Sequence, residues 1–104
     1  MSDTRTKVRV AKLHDIPDDR GLCVMVGDRE IGLFRVDGTI YAISNVCRHQ
    51  GGPLSDGWLE GATIACPWHN WTFDVTTGAC TLAPNASLPT YPVTVDGDDV
   101  YVEV

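Results

Sequence analysis

Long apolar runs are missing from this sequence. Nothing approaches the roughly eighteen residues of a membrane-crossing helix, and the opening Met1–Lys7 leads into a short Val8–Val10 stretch with no apolar signal core. A soluble, cytoplasmic protein without membrane attachment is the expectation. Basic residues are scarce as well. Eight stand against fourteen acids, a formal charge of -6 that disfavours nucleic acid and would steer the chain toward a basic docking face. The same excess also serves simple solubility, so charge alone names no partner. Amphipathic periodicity longer than two helical turns is absent. So is any nucleophile set beside a base or a substrate pocket, and no enzyme is expected from this chain by itself.

What remains reads as β structure. At 104 residues, 43% of them hydrophobic, the chain suits one small domain whose core a metal centre would still help. Leu22–Val26 and Glu30–Val36 flank Gly27-Asp28-Arg29, and Glu30–Val36 meets Ile40–Ser44 across Asp37-Gly38-Thr39. Tyr91–Val95 and Val100–Val104 flank Asp96-Gly97-Asp98-Asp99 in the same way. Glycine beside aspartate between apolar runs is a strong hairpin signal, because tight hairpin loops need positive φ. With Val8–Leu13 as a further strand, these segments predict an all-β base, an antiparallel sandwich or barrel. Between about 45 and 82 the pattern is broken by Gly51, Gly52, Pro53, Gly57, Gly61, Pro67 and Gly78. The single domain, 1–104, is therefore expected to have a base of about 1–44 and 83–104 and an insert of about 45–82. Within the insert, Thr63–Ala65 and Trp71–Val75 read as short strands.

That insert holds Cys47-Arg48-His49, then sixteen residues, then Cys66-Pro67-Trp68-His69. Two thiolates are soft anionic donors suited to iron or zinc, and two imidazoles leave the site less negative than four cysteines would. A common zinc finger places both cysteines before both histidines, with about twelve residues between the pairs. Here the order alternates. One cysteine and one histidine fall on each of two loops, so the cysteines can share one iron and the histidines another across bridging sulfides. A structural zinc-binding module using the same four donors stays open on these grounds. A disulfide between Cys47 and Cys66 would leave both histidines unexplained.

Cys47-x-His49 and Cys66-Pro67-x-His69, with Gly51, Gly52 and Pro53 behind the first pair, resemble the Rieske family. The likeness runs from the first hairpin to the last strand and is sharpest over Asn45–Gly78. It implies the Rieske fold, with the insert as a small cluster-binding subdomain. It also implies one [2Fe-2S] cluster per chain on Cys47, His49, Cys66 and His69. A third loop with a proline covers the cluster in such proteins, and Leu82-Ala83-Pro84 is its match, although Pro84 also suits a plain strand end. Oxidised, two ferric ions, two sulfides and two thiolates are formally neutral. An electron is then added more readily than to a four-thiolate centre, and Rieske potentials span about −150 to +300 mV. High-potential respiratory members carry extra cysteines where this chain has Gly52 and Trp68, and hydroxyl side chains where it has Trp71 and Phe73. Lacking that disulfide and those hydrogen bonds, this chain is expected at the low end of the range.

A low potential resembles the Rieske ferredoxins of bacterial aromatic-ring dioxygenase systems. The resemblance implies a monomeric one-electron carrier that meets, transiently, an NAD(P)H-dependent flavin reductase and a terminal oxygenase. The oxygenase's own Rieske subunit is not expected, because its mononuclear iron needs two histidines and a carboxylate on a further domain, and His14 is the only spare histidine. The alternative is the small Rieske-type subunit of an NAD(P)H nitrite reductase. Many of those lack the ligands, whereas all four are present here. Around the ligands, His49 and His69 are expected to be partly exposed exit atoms, Trp58 and Trp71 to fill the insert's core, and Trp68 to face a partner. Cys23 and Cys80 are expected to be reduced packing residues, and His14 a surface residue.

Overall fold

Two-residue loops set the strand order. The computed structural model describes residues 7–46, 53–66, 71–81 and 87–104. Its strands are β1 (Lys7–Lys12), β2 (Leu22–Val26), β3 (Arg29–Val36), β4 (Thr39–Ser44), β5 (Trp58–Glu60), β6 (Thr63–Ala65), β7 (Thr72–Asp74), β8 (Thr90–Tyr91), β9 (Val93–Asp96) and β10 (Asp99–Glu103). Single 3-10 turns cover Leu13–Asp15 and Leu54–Asp56. The expected all-β architecture is what forms. In the β3–β4 hairpin Val36 pairs with Thr39, leaving Asp37 and Gly38 as the loop with φ of 51° and 80°. Two successive positive φ values are what a type I′ turn needs, and its twist matches that of the flanking strands. Gly27, Gly61 and Gly97 open the other tight hairpin loops.

Three antiparallel sheets result: β1-β10-β9, β2-β3-β4-β8 and β5-β6-β7. The four-stranded sheet is the middle layer. One of its faces sends Ile31, Leu33, Ile40 and Ala42 against Val100 and Val102 of the first sheet. The other sends Phe34 and Ile43 against Leu54, Ile64 and Phe73 of the insert. Burial on both faces explains why Ile31–Phe34 and Ile40–Ile43 read as continuous apolar runs rather than alternating ones. Each fully buried Ile or Phe in these layers contributes about 1.5–3 kcal/mol. The insert therefore shares a core with the base, which holds it rigidly.

Two elements differ from the sequence expectation. The Tyr91–Val95 strand is divided: β8 pairs Thr90 and Tyr91 with Ile43 and Ala42, while β9 pairs with β10. Pro92 stands at the break. It has no N–H for a ladder, and its carbonyl accepts from the Glu103 N–H at 3.0 Å, so the chain changes sheets there. The second difference is β5, too short to show a period of two; it forms because it can pair with β6. Among the described residues no helix is long and apolar enough to cross a membrane.

Candidate metal centre

Both segments that carry the predicted ligands hang from closed necks. The first is shut by an isolated bridge between Val46 and Pro53, and by the Leu54 N–H donating to the Asn45 carbonyl at 2.9 Å. The second extends the β6–β7 hairpin. Ala65 pairs with Thr72, and the Cys66 N–H donates to the Trp71 carbonyl at 2.7 Å. A third neck stands beside it, where Cys80 bridges to Phe73 and the Thr81 N–H donates to the Thr72 carbonyl at 2.9 Å. The side chains of Thr72 and Thr81 also hydrogen-bond to each other there.

Gly57 brings the first two necks together. It follows the 3-10 turn that leaves Pro53, and its Cα lies directly against the Ala65 backbone, where any Cβ would overlap the Ala65 carbonyl oxygen. No residue but glycine allows that approach. Leu54, from the first neck, and Cys66, from the second, then enter one core with Ile64 and Phe73.

Of the four predicted ligands, Cys66 is the one in view. It is fully buried. A thiolate in so apolar a shell is costly without a positive partner, and an iron ion supplies that charge. Cys47, His49 and His69 lie outside the described residues, as do Trp68 and the Leu82-Ala83-Pro84 match for the third loop. Two cysteines and two histidines in alternating order fit a [2Fe-2S] centre with one Cys pair and one His pair. Among the described residues no group of three or more His, Cys, Asp or Glu gathers to hold a metal. His14 is a surface side chain 3.6 Å from Asp15, as expected.

Two expectations need correction. Trp58 is not core but 65% exposed. On β5 it shares a face with Ala65, while its neighbour Leu59 pairs with Ile64 and takes the inward position. Alternation along a strand forces that choice. Cys23 is not a packing residue either: it lies on the exposed face of β2. The other two expectations hold, with Cys80 buried and Trp71 packed against the insert core. The sequence marks Gly57 only as one of several breaks in the strand pattern and Asn45 only as the start of the sharpest likeness, with no role for either. Nothing in a linear pattern marks an asparagine that will be buried or a glycine that will meet a distant carbonyl.

The family model of the Rieske [2Fe-2S] domain matches residues 6–92. The ferredoxin component of the naphthalene 1,2-dioxygenase system of Pseudomonas aeruginosa is 39% identical over 102 residues, 97% of this chain and 98% of its own length. A solved complex of reduced oxygenase and oxidised ferredoxin in carbazole 1,9a-dioxygenase contains a chain 32% identical to this one. That match has a TM-score of 0.83 and covers 92% of this chain and 91% of the other. The small subunit of an NADH-dependent nitrite reductase from Mycobacterium tuberculosis has a TM-score of 0.89 over 98% of this chain and 97% of its own. At 24% identity that likeness is one of fold alone. The chain thus belongs to the Rieske [2Fe-2S] family, as an electron-transfer protein that carries one such cluster rather than as an enzyme.

Proposed function

We propose that Cys47, His49, Cys66 and His69 hold the cluster and that the protein is the ferredoxin of an aromatic-ring dioxygenase system. In this role it takes single electrons from an NAD(P)H-dependent flavin reductase and gives them to a terminal oxygenase. The observation that carries the ligand reading is the contact of Gly57 with Ala65, which sets the neck of 47–52 beside the neck that begins at Cys66. The partners follow from the relatives, which are named as ferredoxin components of dioxygenase systems and include one solved with its oxygenase. When bound, the cluster supplies reversible one-electron exchange at low potential. The protein's part is to anchor the donor segments to rigid strands and to keep the Cys66 sulfur dry.

The domain is organised for this as a base of about 1–44 and 83–104 and a cluster-bearing insert of about 45–82. It works as a cytoplasmic monomer, where NAD(P)H is supplied and each partner is met in turn.

Electron paramagnetic resonance of the dithionite-reduced protein, with iron and sulfide counted on the same sample, tests the ligand reading. A rhombic signal of low average g with two irons per chain is expected. A colourless, zinc-loaded, silent protein overturns it. Mixing the reduced protein with a terminal oxygenase or with a nitrite reductase large subunit then tests the pathway, and oxidation by the latter alone would replace the dioxygenase assignment.

A further inference from the structure

Asn45 is the most deeply buried polar side chain among the described residues, with 1% of its surface exposed. It stands two positions before Cys47 in the chain. A buried amide is costly unless its hydrogen bonds fix something. Here one side-chain bond and two backbone bonds of Asn45 join three segments. The Asn45 N–H donates to the Glu30 carbonyl at 2.9 Å, extending the β3–β4 ladder by one residue. Its carbonyl accepts from the Leu54 N–H at 2.9 Å, and its side-chain Oδ1 accepts from the Ser55 N–H at 2.7 Å.

Leu54 and Ser55 are the first residues of the 3-10 turn that leads to Gly57, and such a turn begins with amides that have no partner of their own. Pro53, at its N-cap, supplies no side-chain bond. Asn45 caps the turn from across the loop instead. Gly32 makes room for this, since a Cβ there would stand 2.8 Å from Asn45 Oδ1. The amide Nδ2 lies near the Cys23 thiol, outside full hydrogen-bond geometry.

We propose that Asn45 is a positioning residue for the metal centre. By capping the Leu54–Asp56 turn, it fixes the departure of the Cys47 segment relative to Gly57, and through Gly57 relative to Ala65 and Cys66. This rests on the ligand assignment proposed above. Removal of the cap lets the two thiolates of the pair take a spread of relative positions, which a spin signal records directly. The Ser55 contact separates this role from simple space filling, because any side chain with an acceptor oxygen at the Oδ1 position preserves it.

The test uses the cluster-loaded full chain. Asn45→Ala is expected to broaden the reduced-state resonance and to lose the cluster about tenfold faster in the presence of a chelator. Asn45→Asp keeps an oxygen for the Ser55 N–H at the cost of a buried carboxyl, and is expected to hold line width and cluster lifetime closer to wild type than Asn45→Ala does. Unchanged line width and lifetime in Asn45→Ala overturn the proposal, whatever its melting temperature. If Asn45→Ala does not fold, Asn45→Ser, whose hydroxyl is too short to reach Ser55, is judged by the same two readings. A wild-type protein with no Rieske signal sinks the ligand assignment itself. A normal wild-type signal with an unaltered variant sinks the role of Asn45 alone.

Discussion

Gly57 and Ala65, eight positions apart in the chain, are in such close contact that the space for a Cβ on Gly57 is already taken by the Ala65 carbonyl oxygen. That contact joins the turn after one proposed ligand segment to the strand before the other. Gly57→Ala must push the two necks apart, against a backbone atom that cannot rotate away. A loss of about 1–3 kcal/mol is expected, with faster bleaching of the cluster on heating. Thermal melts followed at once by far-ultraviolet circular dichroism and by cluster absorbance check both.

Trp58 offers the opposite case. Its indole is 65% exposed, so Trp58→Ser should change stability by no more than about 0.5 kcal/mol. The same substitution should remove a part of the tryptophan fluorescence that acrylamide quenches readily. A stability loss of several kcal/mol would show that the ring is buried.

Cys23 gives a pH prediction. Although Cys23 lies on the exposed face of β2, partial desolvation of its thiol raises it above the ordinary value of 9.0, and the carboxylates of Glu30 and Asp56 push in the same direction, while the Asn45 amide pulls back. The folded protein therefore holds this proton more tightly than the unfolded chain. The resulting stability is fully present below pH 9.0 and is lost as pH rises through the raised folded value. Because the thiolate is the nucleophile, iodoacetamide should label Cys23 slowly at neutral pH, with a rate midpoint above 9.0. A midpoint below 9.0, read by mass spectrometry of the labelled peptide, contradicts this.

The reduction potential is expected below zero, near the bottom of the range of about −150 to +300 mV. Phe73, one of the two positions that carry hydroxyls in high-potential members, is fully buried in the insert core and has no proton to donate to a cluster sulfur or thiolate. Trp71, the other, packs against the same core. A redox titration monitored by the resonance signal of the reduced state measures the midpoint, and a value well above zero would falsify the expectation.

Much of this was legible in the chain itself. Alternating Cys and His at fixed spacing specify a chemistry, because donor type and order limit the centre to iron or zinc before any fold is known. The hairpins at Gly27, Asp37-Gly38 and Gly97 are local as well: a two-residue loop with positive φ is decided by the residues in it. Tertiary structure decided the rest, and for one physical reason. Whether Trp58 or Leu59 faces inward depends on which neighbour pairs with Ile64. Where Pro92 sends the chain depends on two sheets competing for its flanks. The burial of Asn45 and the filled space beside Gly57 depend on segments many residues away. Composition and spacing fix what a residue can do, but only packing between distant segments fixes which atoms it meets.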